Sequence, residues 1–236
     1  MNWKLETVQM AVKIRAGEHV LDGELRVPPD AVGLVIFAHG SGSSRFSSRN
    51  QAVARTLEEA RLATLLLDLL TPREEAEDRV TGGYRFDIEL LGERVIAAVD
   101  WATEGADVKR LPIALFGAST GAAAALMAGA GRPALVRAVI SRGGRPDLAE
   151  AALRRAQAPT LLIVGSRDTE VIEMNRRAMA KMIAPADLVI VPGASHLFEE
   201  PGTLERVAAL ASEFCLRHVT GPNPQGKTAR PAVDFY

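Results

Sequence analysis

The sharpest chemical signal in the chain is the run Gly117-Ala118-Ser119-Thr120-Gly121, placed where an apolar strand gives way to a helix. A G-x-S-x-G pattern at such a junction makes a turn so tight that the serine hydroxyl stands clear of the sheet. The residues two before and two after the serine must be tiny, because a Cβ there would collide with the turn. The glycine spacing does not suit a G-x-G-x-x-G dinucleotide loop, and the lysine of a phosphate-binding P-loop is missing. Ser119 is therefore the candidate nucleophile.

A serine hydroxyl at its ordinary pKa attacks poorly and needs an imidazole to take its proton. The chain has four histidines. His19 falls in an early strand and His218 ends the last helix, where a cation suits the helix dipole. His39 follows an apolar strand and reads as a brace for its loop. His196, in Pro192-Gly193-Ala194-Ser195-His196-Leu197-Phe198, lies at the carboxyl end of the last strand, where ligands gather in open α/β sheets. It is the candidate base. Asp168, just past the strand Thr160–Val164, is the candidate acid that would orient the imidazole. An ordinary helix N-cap aspartate is the competing reading of Asp168, and Glu170 is the alternative acid.

Acyl transfer also needs backbone N–H groups aimed at the developing oxyanion. Thr120, the residue after the nucleophile, supplies one. The other is expected from the loop His39-Gly40-Ser41-Gly42-Ser43-Ser44, with Ser41 preferred and Gly40 as the alternative. Arg45 and Arg49 follow that loop, and Arg142 and Arg145 belong to Ser141-Arg142-Gly143-Gly144-Arg145 on the same face. Planar guanidinium groups recognise carboxylates and phosphates. Arg142, in the loop nearest the elbow, is the candidate substrate-binding residue. The histidines lack metal-ligand spacing and no cofactor signature is present, so neither metal nor cofactor is expected.

These loops need a sheet to carry them. Val8–Ile14 and His19–Val27 read as an antiparallel pair of edge strands. Strand patterns at Val32–Ala38, Ala63–Leu67, Ile113–Phe116, Leu135–Ile140, Thr160–Val164 and Leu188–Val191 then alternate with helices. The helices are expected at Asn50–Ala60, Asp87–Thr103, Thr120–Gly131, Leu148–Arg155, Val171–Met182 and Leu204–His218. Such alternation means a mostly parallel sheet covered on both faces. Leu70–Tyr84 reads as an irregular segment able to fold over the cleft. The stretch from Ser141 to Pro159 holds one helix and no cap domain.

The chain has 236 residues, 47% of them hydrophobic and 24% charged, with net charge −1 and one cysteine. That is a globular composition, and it gives no field for nucleic acid. The longest apolar runs, such as Ala31–Ala38, fall far short of a membrane span. Cys215 reads as a packed core thiol, and a soluble, cytoplasmic protein is expected. Residues 1–220 should form one domain and residues 221–236 a flexible tail. Oligomeric state is not legible.

The elbow Gly117–Gly121, the loop His39–Ser44, Asp168 and Gly193-Ala194-Ser195-His196 together resemble the α/β-hydrolase superfamily. The order Ser119, Asp168, His196 is that superfamily's order. The capless layout is similar to its dienelactone hydrolase-like branch, with Ser119 where dienelactone hydrolases themselves carry cysteine. The resemblance implies an α/β, three-layer sandwich with a mostly parallel eight-stranded sheet. It also implies hydrolysis of a small-molecule ester, lactone or thioester through an acyl-enzyme. A peptidase or amidase with the same triad, and a binding module that keeps the fold without turnover, are the competing readings.

Overall fold

Two antiparallel strands, β1 (Val8–Ala16) and β2 (His19–Val27), come first in the described chain. The structure is a computed structural model that describes residues 6–105 and 107–221. The tail reading for residues 221–236 thus lies almost wholly outside the described residues. β3 (Gly33–Ala38), β4 (Leu62–Leu67), β5 (Ile113–Ala118), β6 (Val136–Arg142), β7 (Thr160–Gly165) and β8 (Ala186–Val191) run parallel to one another. β2 pairs antiparallel with β4, and the 8-stranded sheet has the order β1-β2-β4-β3-β5-β6-β7-β8.

The helices are α1 (Ser48–Glu59), α2 (Pro72–Thr81), α3 (Ile88–Glu104), α4 (Thr120–Gly131), α5 (Ala152–Arg155), α6 (Thr169–Met179) and α7 (Thr203–Val219). Every residue of β3, β4, β5 and β7 is buried, which is why these strands read as unbroken apolar runs. Alternation along each strand divides the core into two layers. Ile113 and Leu115 of β5 pack with α3 and α4, while Ala114 and Phe116 pack with α1 and α7. α4 consists mostly of alanine and glycine and is buried along nearly its whole length. Small side chains let it lie close: a Cβ on Gly129 would sit 3.2 Å from Val139 of β6.

From β3 the chain steps to β4 on one side and later to β5 on the other. The crevice where the order reverses lies between the loops that follow β3 and β5, the general ligand position of open α/β sheets. Among the described residues there is no separate cap domain, and no helix is long and apolar enough to cross a membrane.

Two elements differ from the sequence expectation. Leu70–Tyr84 is not irregular, because α2 occupies most of it. This helix has no apolar stripe, and its buried residues are Glu74 and Asp78. Polar ties hold it. Thr71 and Glu74 form a reciprocal capping box, and Glu74 also accepts from Arg94 Nη2 of α3 at 2.9 Å. Asp78 accepts from Tyr84 N, Arg85 N and Arg85 Nε at 2.8, 2.9 and 2.9 Å. The expected helix Leu148–Arg155 is instead a 3-10 turn, Pro146–Ala149, and the single turn α5, with Glu150 at φ 39° between them. The break falls at Glu150, whose positive φ a right-handed helix cannot accommodate. Upstream, Arg145 N–H donates to Ser119 O at 3.0 Å and ties the start of this segment to the elbow.

Candidate active site

Ser119 sits between β5 and α4 at φ 52° and ψ −122°. A non-glycine residue held there stores roughly 1–3 kcal/mol of strain, which persists only if its surroundings enforce it. They do so on both sides of the peptide. Ser119 N–H donates to Arg142 O at 3.2 Å, and Ser119 O accepts from Ala122 N at 3.1 Å as well as from Arg145 N. The two glycines of the motif are fixed sterically. A Cβ on Gly117 would lie 2.4 Å from Ala122 Cα, and one on Gly121 would lie 2.2 Å from Ala38 O.

Asp168 and His196, 28 residues apart in the chain, meet with His196 Nδ1 at 2.5 Å from Asp168 Oδ2. Asp168 occupies the N-cap position of α6, yet its side chain makes no capping bond. The ordinary N-cap reading therefore fails. Its carboxylate is turned to the imidazole, while Glu170 is exposed in the first turn of α6. With Nδ1 bound to a carboxylate, Nε2 is the nitrogen left to accept a proton. The His196 loop is itself pinned. Ser195 donates from its backbone N and its Oγ to Glu200 Oε2 at 3.0 and 3.3 Å, and the backbone N–H bond holds the Glu200 carboxyl below its usual range. Phe198, 2% exposed, anchors the loop at a positive φ of 56°. The ring lies over the loop beside the elbow: a Cβ on Gly143 would be 3.6 Å from His196 Cε1.

His39 does not join that pair. Its Nε2 accepts Leu69 N–H at 3.0 Å, so its Nδ1 carries the proton and donates to Gly40 O at 2.9 Å. A ring used this way is neutral, and burial pushes its pKa below the ordinary value of 6.5. The unfolded chain therefore takes up a proton below about pH 6.5 that the folded chain refuses, so stability falls as pH drops through that value. Denaturant unfolding between pH 7.5 and 5.5 should lose up to about 1.4 kcal/mol per pH unit from this residue. The loss should shrink in His39→Gln, even though that variant is less stable at pH 7.5.

The brace fixes the loop that follows β3. A Cβ on Gly40 would lie 3.0 Å from Ser119 Cβ and 3.2 Å from Ala118 O, so a larger residue would crowd the loop against the elbow. Ser41 Oγ donates to Arg85 O at 3.3 Å and meets Thr120 Oγ1 at 3.0 Å. The backbone N–H groups of Ser41 and Thr120 make no hydrogen bond among the described residues. Sequence reasoning did not anticipate Arg85, which is carried by buried Asp78. The available signal was the capping-box spacing Thr71…Glu74, which announces the helix that presents Asp78.

The four arginines separate by their partners. Arg45 pairs with Asp68, and Arg145 pairs with Asp147 through two nitrogens. Among the described residues Arg49 makes one ion pair, with Glu199 at 3.4 Å. Arg142 is 8% exposed, and its Nη1 is buried with no hydrogen-bond partner. Burial first, and Arg49 second, lower its guanidinium pKa to about 10. The loop after Arg142 is held by Asn175, whose Nδ2 donates to Gly144 O at 3.0 Å, a tie the sequence reading also missed. Cys215 is fully buried in the layer of α1 and α7, and burial pushes its thiol up to about 12.

The dienelactone hydrolase family model matches residues 46–219. The chain belongs to the dienelactone hydrolase family. As the resemblance implied, it is a dienelactone hydrolase-like α/β hydrolase. A dienelactone hydrolase from Anabaena variabilis ATCC 29413 has 54% sequence identity and a TM-score of 0.89, with 90% of this chain and 99% of that one covered. Two Mycobacterium tuberculosis proteins (strains CDC 1551 and H37Rv), each named "Putative phosphoribosyl transferase", are 53% identical over 215 residues. That match covers 91% of this chain and 48% of theirs, so the chain spans about half the length of these curated relatives. Est1E from Butyrivibrio proteoclasticus, at 20% identity and a TM-score of 0.74, shares the fold.

Proposed function

We propose that this dienelactone hydrolase family member is a serine hydrolase acting on small carboxylic esters, lactones or thioesters. The observation that carries the reading is the 2.5 Å pairing of His196 with Asp168, a carboxylate that forgoes its own helix cap to make it. Ser119 Oγ attacks the carbonyl carbon while His196 Nε2 takes its proton. The N–H groups of Ser41 and Thr120 receive the oxyanion. His196 then returns the proton to the leaving oxygen or sulfur, and water attacks the acyl-enzyme by the same route in reverse. Arg142 anchors the substrate beside the elbow. The phosphoribosyl transferase name borne by the mycobacterial relatives concerns chains about twice this length. A strained serine, an imidazole and a carboxylate are instead the tools of acyl transfer.

Fluorophosphonate labelling tests the nucleophile directly. A single adduct on Ser119, with turnover of p-nitrophenyl acetate and acyl thioesters above that of matched anilides, is the expected result. Preference for the anilides would favour an amidase. No adduct and no turnover of any of these would leave a binding module.

A further inference from the structure

We propose that Arg142 and Arg49 form a seat for a phosphate group, so that the substrate is an ester or lactone bearing a phosphate monoester. The choice of an ester rests on the reading of Ser119 as nucleophile; the seat itself does not.

Arg142 is the last residue of β6 and pairs in register with Ala118, the neighbour of Ser119. It is more than nine-tenths buried. Among the described residues it makes no ion pair and no side-chain hydrogen bond, although a guanidinium carries five donors. Along β6, Ala138 and Ile140 face the layer of α1 and α7, and alternation places Arg142 on the same side. α1 begins there with Arg49 in its first turn, and Arg49 Nε is likewise buried without a partner. The two guanidinium groups thus lie on the same side of the sheet, near enough for the charge of Arg49 to act on that of Arg142. Folding alone gives no reason to keep a buried, unpaired charge next to a like charge, since an apolar side chain of that size would be more stable. Such an arrangement is retained where an anion completes it.

The charge count selects the anion. Arg45 and Arg145, the other arginines of this face, each have their own aspartate. Among the described residues, the only acidic group on the pair is Glu199, a 64% exposed side chain that meets Arg49 through one 3.4 Å contact. A carboxylate would balance one of the two guanidinium charges. A phosphate monoester carries close to two, with three oxygens to share between two forks. It stays intact in the reaction. The Ser119 Oγ–carbonyl bond forms, the ester C–O bond breaks, and the alcohol departs with the proton from His196.

Thermal unfolding at constant ionic strength tests the seat with inorganic phosphate as probe and acetate and succinate as controls. Phosphate at high saturation should raise Tm by roughly 4–8 °C in the wild type and in Ser119→Ala, and the carboxylates by much less. Arg142→Met should unfold at a higher temperature than the wild type without anion, because it removes a buried charge, and should lose the phosphate response. Arg49→Gln should weaken phosphate by about tenfold or more. If Arg142→Met lowers Tm and phosphate does not stabilise the wild type, Arg142 is structural and the seat is wrong. An equal response to acetate or succinate overturns phosphate as the ligand. Should Arg142→Met not fold, Arg142→Lys keeps the charge without the fork and must still weaken phosphate for the proposal to stand. Fluorophosphonate labelling of the same samples separates the two readings. An adduct without phosphate binding sinks the seat alone, and phosphate binding without an adduct or ester turnover sinks the hydrolase reading alone.

Discussion

Ser119→Ala is expected to lower kcat for p-nitrophenyl acetate by about 10⁴–10⁶-fold. The variant should fold normally, since Ser119 is held through its backbone N and O, and its hydroxyl makes no hydrogen bond among the described residues. Alanine keeps the Cβ and the same positive-φ strain, so Tm should move little. What disappears is the atom that would bond to the carbonyl carbon. Oxyanion donors and substrate contacts remain, and they set the residual rate above that in water. A variant hydrolysing the ester as fast as wild type would refute Ser119 as nucleophile, whatever its fold.

The second large effect belongs to Asp168→Asn, with an expected fall in kcat of about 10⁴-fold and little change in KM. The 2.5 Å contact requires the proton on His196 Nδ1 and leaves Nε2 bare. An asparagine amide can donate to Nδ1 instead, which moves the ring proton to Nε2 and removes the base. Asp168→Asn combined with Ser119→Ala should then be no slower than Ser119→Ala alone, because the two residues act as one unit. Additive losses would place Asp168 outside that unit and return it to a structural role at the start of α6.

Much of the sheet was legible because its central strands are buried on both faces and read as apolar runs, and its first two strands are separated by a short turn. Helix α2 was not, because apolar periodicity cannot register a helix held by Glu74, Asp78 and their arginine partners. The helix expected at Leu148–Arg155 has the right periodicity, but Glu150 takes a positive φ and divides it into two short turns, which periodicity does not register. Asn175 shares that invisibility, because it acts on a loop distant in sequence and belongs to no local pattern.

By itself the sequence determined the elbow, the family and the identity of Ser119, Asp168 and His196 as candidates. Steric demands on Gly117 and Gly121, and the position of each loop at the carboxyl end of a strand, are local properties. Only the tertiary structure decided what each polar group does with its charge. It turned Asp168 from helix cap to imidazole partner, fixed the tautomer of His39, and gave Arg45 and Arg145 their aspartates while leaving Arg142 with none among the described residues. Four arginines in two similar loops look alike in sequence because pairing and burial depend on residues brought together from separate strands and helices, and charge in a low-dielectric interior is governed by those neighbours.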